Sequence, residues 1–199
     1  MSQTDRLILA SKSQSRRAML DAAGVPHDAV PADVDERAIE AAWIGDEQDH
    51  VVAGLSAAKA LAVAPQTDAR FVLGSDSLVV VEGRRFDKPT SRENASEHLR
   101  FFSGKTLELF AGAALVIDEE LRWDAWQVAK LDVRELSDEF IERYLDAEWP
   151  AISFCAGAFR IEGMGVQLFD SIEGDHFAIL GMPLLKVLWA LRQFKVIPK

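Results

Sequence analysis

With 199 residues, 49% of them hydrophobic and 27% charged, the chain is long enough to bury a substantial core as one globular domain spanning 1–199. Its 32 acidic residues outnumber 22 basic ones for a net charge of −10, which excludes a general nucleic-acid or anionic-membrane surface and leaves room for a small polyanion held by local cations. No apolar run approaches the ~20 residues of a membrane span, no secretory h-region opens the chain, and the lone Cys155 cannot form an internal disulfide; the expected setting is the reducing cytoplasm.

In chain order, Leu7 to Ala10 reads as an apolar strand, followed by a polar loop and a helix from about Gln14 to Ala23 that Gly24 and Pro26 stop. A second helix is expected from Asp49 to Ala64, with Val52, Leu55 and Ala62 on one stripe that also carries Lys59. Phe71 to Leu73 and Leu78 to Val81 read as strands flanking Asp76, with Glu82-Gly83 as a turn. Thr90 and Glu93 form a capping box for a helix ending at Phe102, before Gly104. Thr106 to Ile117 and Leu121 to Leu136 are long strands joined at Asp118-Glu119-Glu120. Ser137 caps a helix that ends at Trp149-Pro150. A Gly-rich loop, Gly157 to Gly165, precedes a strand from Val166 to Phe169 and a helix begun by Pro183. Interleaved strands and helices make the class α/β, and the long 106–136 pair points to a mixed sheet.

The loop Ser11-Lys12-Ser13-Gln14-Ser15-Arg16-Arg17 joins a strand to a helix, so unpaired N–H groups and the positive helix end face an anion. Three cations there conflict with the dipole unless an anionic ligand offsets them, and such local conflicts mark functional sites. Lys59 either snorkels to solvent or contacts a ligand. Asp76 is either turn chemistry or a site residue, and Asp33, Asp35 and Glu36 are either a solvated loop or metal-binding carboxylates of the kind a hard divalent cation requires. Ser103-Gly104-Lys105-Thr106 lacks the upstream spacing of a P-loop and leads into a strand. The 157–165 glycines are not framed as a dinucleotide fingerprint, and the four histidines show no zinc-ligand spacing. Trp123 and Trp126 are expected to cover core or a dimer surface.

Taken together, the first loop, Asp33-Val34-Asp35-Glu36, Lys59, Gly74-Ser75-Asp76-Ser77 and Asp87-Lys88-Pro89 resemble the Maf family of nucleoside triphosphate pyrophosphatases, over about Leu7 to Leu191. The resemblance implies a twisted mixed sheet flanked by helices, bilobed around a central cleft, as in Maf and ITPase-like folds. It implies hydrolysis of a nucleoside triphosphate to monophosphate and pyrophosphate, with Asp76 as base and Glu36 and Asp76 holding Mg²⁺ or Mn²⁺. Arg16, Lys59 and Lys88 match the family's phosphate-site cations, while Ser13, Ser15, Ser77, Lys105 and Glu162 fall at substrate-binding positions. A homodimer, nucleotide-pool cleansing and an association with arrest of cell division also follow from the family. The alternative is a non-catalytic nucleotide-binding regulator of division, which would not need the water-activating carboxylates.

Three positions separate the family's branches: Arg, Thr and Gln where dTTP and UTP are taken, Trp, Gln and Glu where 7-methyl-GTP is taken. Here they are Ser15, Ser77 and Glu162, so only Glu162 matches, and it matches the methylguanine branch. Phe154 to Gly163 is also closer to that branch, and the base is expected to be 7-methyl-GTP-like or broad. Gln14 replaces the family's proline and Asp87 its glycine before Lys88, placing a negative charge beside that lysine.

Overall fold

The computed structural model describes residues 6–41 and 48–199. The chain divides into two compact units, one formed by Met1–Ser77, Phe110–Gln127 and Asp175–Lys199, the other by Leu78–Leu109 and Val128–Gly174. The described strands are β1 (Leu7–Ala10), β2 (His27–Ala29), β3 (Phe71–Val81), β4 (Arg84–Phe86), β5 (Thr106–Ile117), β6 (Glu120–Val133) and β7 (Phe169–Gly174). They form a seven-stranded mixed sheet in the order β2-β1-β3-β5-β6-β7, with β4 paired to β3. The helices are α1 (Gln14–Ala22), α2 (Glu36–Ala41), α3 (Gln48–Val63), α4 (Arg92–Phe102), α5 (Asp138–Glu148), α6 (His176–Ile179) and α7 (Leu184–Gln193).

In the first unit, β1 is buried along its whole length because it is covered on both faces. Leu7 and Leu9 join Leu73, Leu115, Met19 and Leu20 of α1 and Leu184, Val187 and Leu191 of α7 in one apolar layer. Ile8 and Ala10 point the other way, onto Ala60 and Val63 of α3 with Val72 and Val116. The period of two along the strand therefore sorts the helices to opposite faces. β1 runs parallel to β3 with Ala10 opposite Gly74, so the loop leaving β1 emerges beside Ser75, Asp76 and Ser77.

In the second unit, α4 and α5 are joined by ion pairs of Arg92 with Glu142 and Asp146 and of Arg100 with Asp138. Phe86 packs edge-on against Phe102 and His98. Tyr144 is fully buried, its hydroxyl donating to the Ala158 carbonyl at 3.1 Å; burial raises its pKa.

Four readings from sequence shift in the structure. Asp76 lies inside one continuous strand and not in a turn between two, because β1 pairs with residues 71–74 of β3, β4 pairs with residues 79–81, and the Asp76 N–H is satisfied by the Ser56 hydroxyl at 3.0 Å. The cap of α4 is Ser91, whose hydroxyl accepts from the Asn94 N–H, one residue later than Thr90. Met164–Leu168 form a 3-10 turn and the strand begins at Phe169; a Cβ on Gly165 would come within 2.4 Å of the Arg160 carbonyl, so glycine permits a turn tighter than a strand. The strand expected to run to Leu136 ends at Val133, and α2 and the short β2 and β4 carried too little periodicity to be read.

How close α3 lies to the sheet is set by two glycines. A Cβ on Gly74 would stand 2.0 Å from the Ser56 carbonyl oxygen, and one on Gly112 would stand 2.6 Å from that of Val52. Both obstacles are helix backbone, which cannot rotate away. Gly74→Ala is accordingly expected to cost about 3 kcal/mol or more in urea denaturation, whereas Gly83→Ala, where positive φ but no neighbour is at stake, should cost only about 1 kcal/mol.

Candidate active site

The loop after β1 is built on serine hydroxyls. Ser13 is the N-cap of α1, its hydroxyl accepting from the Arg16 N–H at 3.4 Å, and its own N–H donates to the Ser11 hydroxyl at 3.3 Å. Ser15 sits partly exposed in the first turn, and Lys12 and Arg17 are exposed. Arg16 turns inward and is buried.

The Arg16 guanidinium makes four hydrogen bonds to protein oxygens. Nε donates to the Gly181 carbonyl at 2.8 Å, Nη1 to the Ser75 carbonyl at 2.8 Å and the Ser11 hydroxyl at 3.0 Å, and Nη2 to the Ser77 hydroxyl at 3.1 Å. The Asp76 carboxylate stands 3.7 Å from Nη2. Burial pulls the guanidinium pKa below its ordinary value, and the negative charges of Asp76 and Glu36 oppose that shift. Gly181 has φ of +95°, a conformation other residues rarely adopt, and this aims its carbonyl at Arg16.

Lys59 links the two expected carboxylates. Its Nζ lies 2.8 Å from Glu36 Oε1 and 3.0 Å from Asp76 Oδ1. The side chain is only 10% exposed, so of the two readings open from sequence the ammonium does not snorkel; it is paired within the unit. Glu36 is the first residue of α2, whose start Asp35 fixes by accepting from the Ala38 N–H at 3.0 Å. Asp76 is 7% exposed, with its backbone held by Ser56 and its carboxylate by Lys59.

Arg16, Glu36, Lys59, Asp76 and Ser77 thus meet in the first unit, with two positive and two negative charges. Glu36 Oε1 and Asp76 Oδ1 both lie on the Lys59 ammonium, so the two carboxylates stand close enough together to share a cation, and their hard oxygens are of the type Mg²⁺ takes in ones or twos beside water and phosphate oxygens. Among the described residues there is no group of three or more His, Cys, Asp or Glu able to hold a metal by itself.

The remaining expected residues lie in the second unit. Lys88 is exposed. Lys105 is held 3.0 Å from Glu82 Oε2 and 3.7 Å over the Phe101 ring, where α4 has ended at Gly104 (φ of +70°) and β5 begins. Glu162 is half exposed, with Arg160 Nε at 3.9 Å from its carboxylate. Burial and the charge of Glu162 raise the Cys155 thiol pKa, so it stays protonated near neutrality.

Two contributors, Ser56 and Gly181, lie outside every segment named from sequence, and Ser11 and Ser75 lie inside named segments without having been given a role of their own. Ser56 is fully buried, donating to the Val52 carbonyl at 2.7 Å while accepting from Asp76 N–H. Its signal was available, a lone hydroxyl among Val52, Leu55 and Ala60 on an apolar helix face. Gly181, 165 residues from its partner Arg16, had none.

A family model described as Maf-like protein matches residues 6–194. A protein of Nitrobacter winogradskyi named nucleoside triphosphate pyrophosphatase is 42% identical over 95% of this chain and 94% of its own length. Proteins named 7-methyl-GTP pyrophosphatase are similar too, that of Rhizobium etli at 40% over 98% of each chain and that of Mesorhizobium japonicum at 42% over 95% and 96%. No described helix is long and apolar enough to cross a membrane.

Removing the ammonium should expose the dependence of the carboxylates on it. Lys59→Met is expected to destabilise the fold by about 3 kcal/mol, because it leaves the buried Asp76 carboxylate with only the longer contact to Arg16. Adding Asp76→Asn to that variant should recover part of the loss, read as a rise in thermal midpoint of the double variant over Lys59→Met.

Proposed function

Because the chain belongs to the Maf-like protein family, we propose that it hydrolyses a nucleoside triphosphate to the monophosphate and pyrophosphate. The observation that carries this reading is the Glu36–Lys59–Asp76 array, with contacts of 2.8 and 3.0 Å, next to the buried Arg16. Phosphoryl transfer requires little covalent help from a protein; it requires neutralised charge, an oriented nucleophile and in-line geometry. These residues supply the first two.

Asp76 takes the proton from water as it attacks the α-phosphate. Its carboxylate is held by Lys59 and its backbone by Ser56, so it reaches that role with little freedom left to lose. Lys59 lies close enough to Asp76 to place its positive charge on the phosphates, and Lys88 would stabilise pyrophosphate as it leaves. Glu36 and Asp76 would hold Mg²⁺ or Mn²⁺, which supplies charge neutralisation on the phosphate oxygens when bound. An enzyme of this kind removes unwanted nucleotides from the pool.

The base we assign is 7-methylguanine or a close relative. The rhizobial relatives bear that substrate in their names, and Glu162 offers an exposed carboxylate able to accept from the N1–H and N2–H of a guanine edge. Ser15 and Ser77 are shorter than the Trp and Gln at these positions in the methylguanine branch, which favours a bulkier modified base or a broad range.

A panel of standard and modified nucleoside triphosphates with Mg²⁺, read by pyrophosphate release, tests the reaction. Monophosphate and pyrophosphate are the expected products; diphosphate and orthophosphate would refute it, and binding without release would mark a non-catalytic regulator. Asp76→Asn should lower turnover at least ~10²-fold with the fold retained, since Glu36 remains as counter-ion to Lys59. Near-normal turnover would place the base elsewhere.

For base selection, the measured quantity is the ratio of efficiencies on 7-methyl-GTP and UTP. Glu162→Gln should lower it about tenfold, the equivalent of losing a charged hydrogen bond. An unchanged ratio would show that Glu162 is structural.

A further inference from the structure

We propose that Arg16 is a positioning residue that leaves the hydroxyls of Ser11 and Ser77 as fixed donors to substrate phosphate oxygens, an inference that rests on the pyrophosphatase reading for the identity of the ligand. A guanidinium has five N–H donors and no acceptor. Four hydrogen bonds of Arg16 already end on protein oxygens at 2.8 to 3.1 Å, and the side chain is 8% exposed. Little donor capacity remains for a phosphate, in contrast with the direct phosphate contact that the family resemblance implies.

The two serines receive the consequence. Ser11 Oγ accepts from Arg16 Nη1 at 3.0 Å and from the Ser13 N–H at 3.3 Å, so its lone pairs are engaged and its hydrogen is not. Ser77 Oγ accepts from Arg16 Nη2 at 3.1 Å. Neither hydrogen can go to the guanidinium, and no hydrogen bond with either hydroxyl as donor forms among the described residues. Ser75 shows the contrast: its hydroxyl donates to the Gly112 carbonyl at 2.7 Å and is satisfied inside the fold. Ser11 and Ser77 sit on either side of one cation, beside Asp76, and an anionic oxygen is the acceptor that suits both.

The test is a mutant cycle read in kcat, KM and the affinity for inorganic pyrophosphate by calorimetry, with thermal midpoints as a folding control. Arg16→Lys and the double variant Ser11→Ala/Ser77→Ala should each lower kcat/KM by at least ~10-fold. Combining them should cost less than about threefold beyond the worse of the two, because both remove the same donors. Ser11→Thr and Ser77→Thr keep the hydroxyls and should retain most of the activity. Losses that multiply would overturn the proposal and make Arg16 an independent phosphate contact. If Arg16→Lys does not fold, the serine pair decides: unchanged pyrophosphate affinity and kcat/KM in Ser11→Ala/Ser77→Ala overturns the proposal, and a ~10-fold loss rescued by threonine sustains it. Pyrophosphate binding needs no turnover, so hydroxyl-dependent binding in a chain that hydrolyses no triphosphate would refute the pyrophosphatase reading and leave this one standing.

Discussion

A helix can bring an ammonium to within 3.0 Å of a carboxylate in the middle of a strand only if helix and sheet all but touch. The contact between α3 and the sheet at Gly74 and Gly112 provides that closeness, and most of the candidate site depends on it. Ser56 occupies the narrowest point, where its hydroxyl bonds the strand's backbone at Asp76 and its carbonyl excludes any side chain from Gly74. Lys59 lies one turn further along the same helix face, so its position over Asp76 follows from helix geometry once Ser56 is fixed. Were the helix one methyl group further away, the lysine would have to lean, and the buried carboxylate would lose its closer partner.

The same closeness lets a protein of net charge −10 keep two cations, Arg16 and Lys59, buried beside two carboxylates. Burying a charge is tolerated when opposite charge and hydrogen bonds replace water, and the group formed by Arg16, Lys59, Glu36 and Asp76 satisfies its own demands before any ligand arrives. In the proposed reaction a balanced cluster of this kind would need little reorganisation as charge develops. The surplus acidity lies elsewhere on the surface, where water screens it.

Much of the architecture was legible in the sequence because it is local. The apolar run of β1, the stripe of α3, the cap at Ser137 and the stop at Gly104 are written in adjacent residues, and the structure places elements there. What was not legible depends on partners distant in the chain. Asp76 looks like a break between two strands until β1 and β4 are seen to pair with the two halves of β3. Lys59 looks like a solvent-seeking residue until Glu36 and Asp76 are brought to it. The acidic residues, Lys59 and Arg16 could be named from sequence by family resemblance; that Arg16 ends on protein oxygens, and that Ser56 and Gly181 serve the site, could be seen only in three dimensions.

The bond from Arg16 to the Gly181 carbonyl has a consequence in time as well as in space. It joins residues 165 apart, and Gly181 belongs to the segment that also supplies α7 to the layer over β1. Long-range closures of this kind form late, after the intervening chain has been ordered. On the ribosome, where synthesis proceeds from the N-terminus, the loop after β1 is made 165 residues before the carbonyl that its buried guanidinium bonds. A nascent chain short of residue 181 therefore carries an arginine that lacks one of its four acceptors, and the loop after β1 is completed only when that later segment arrives.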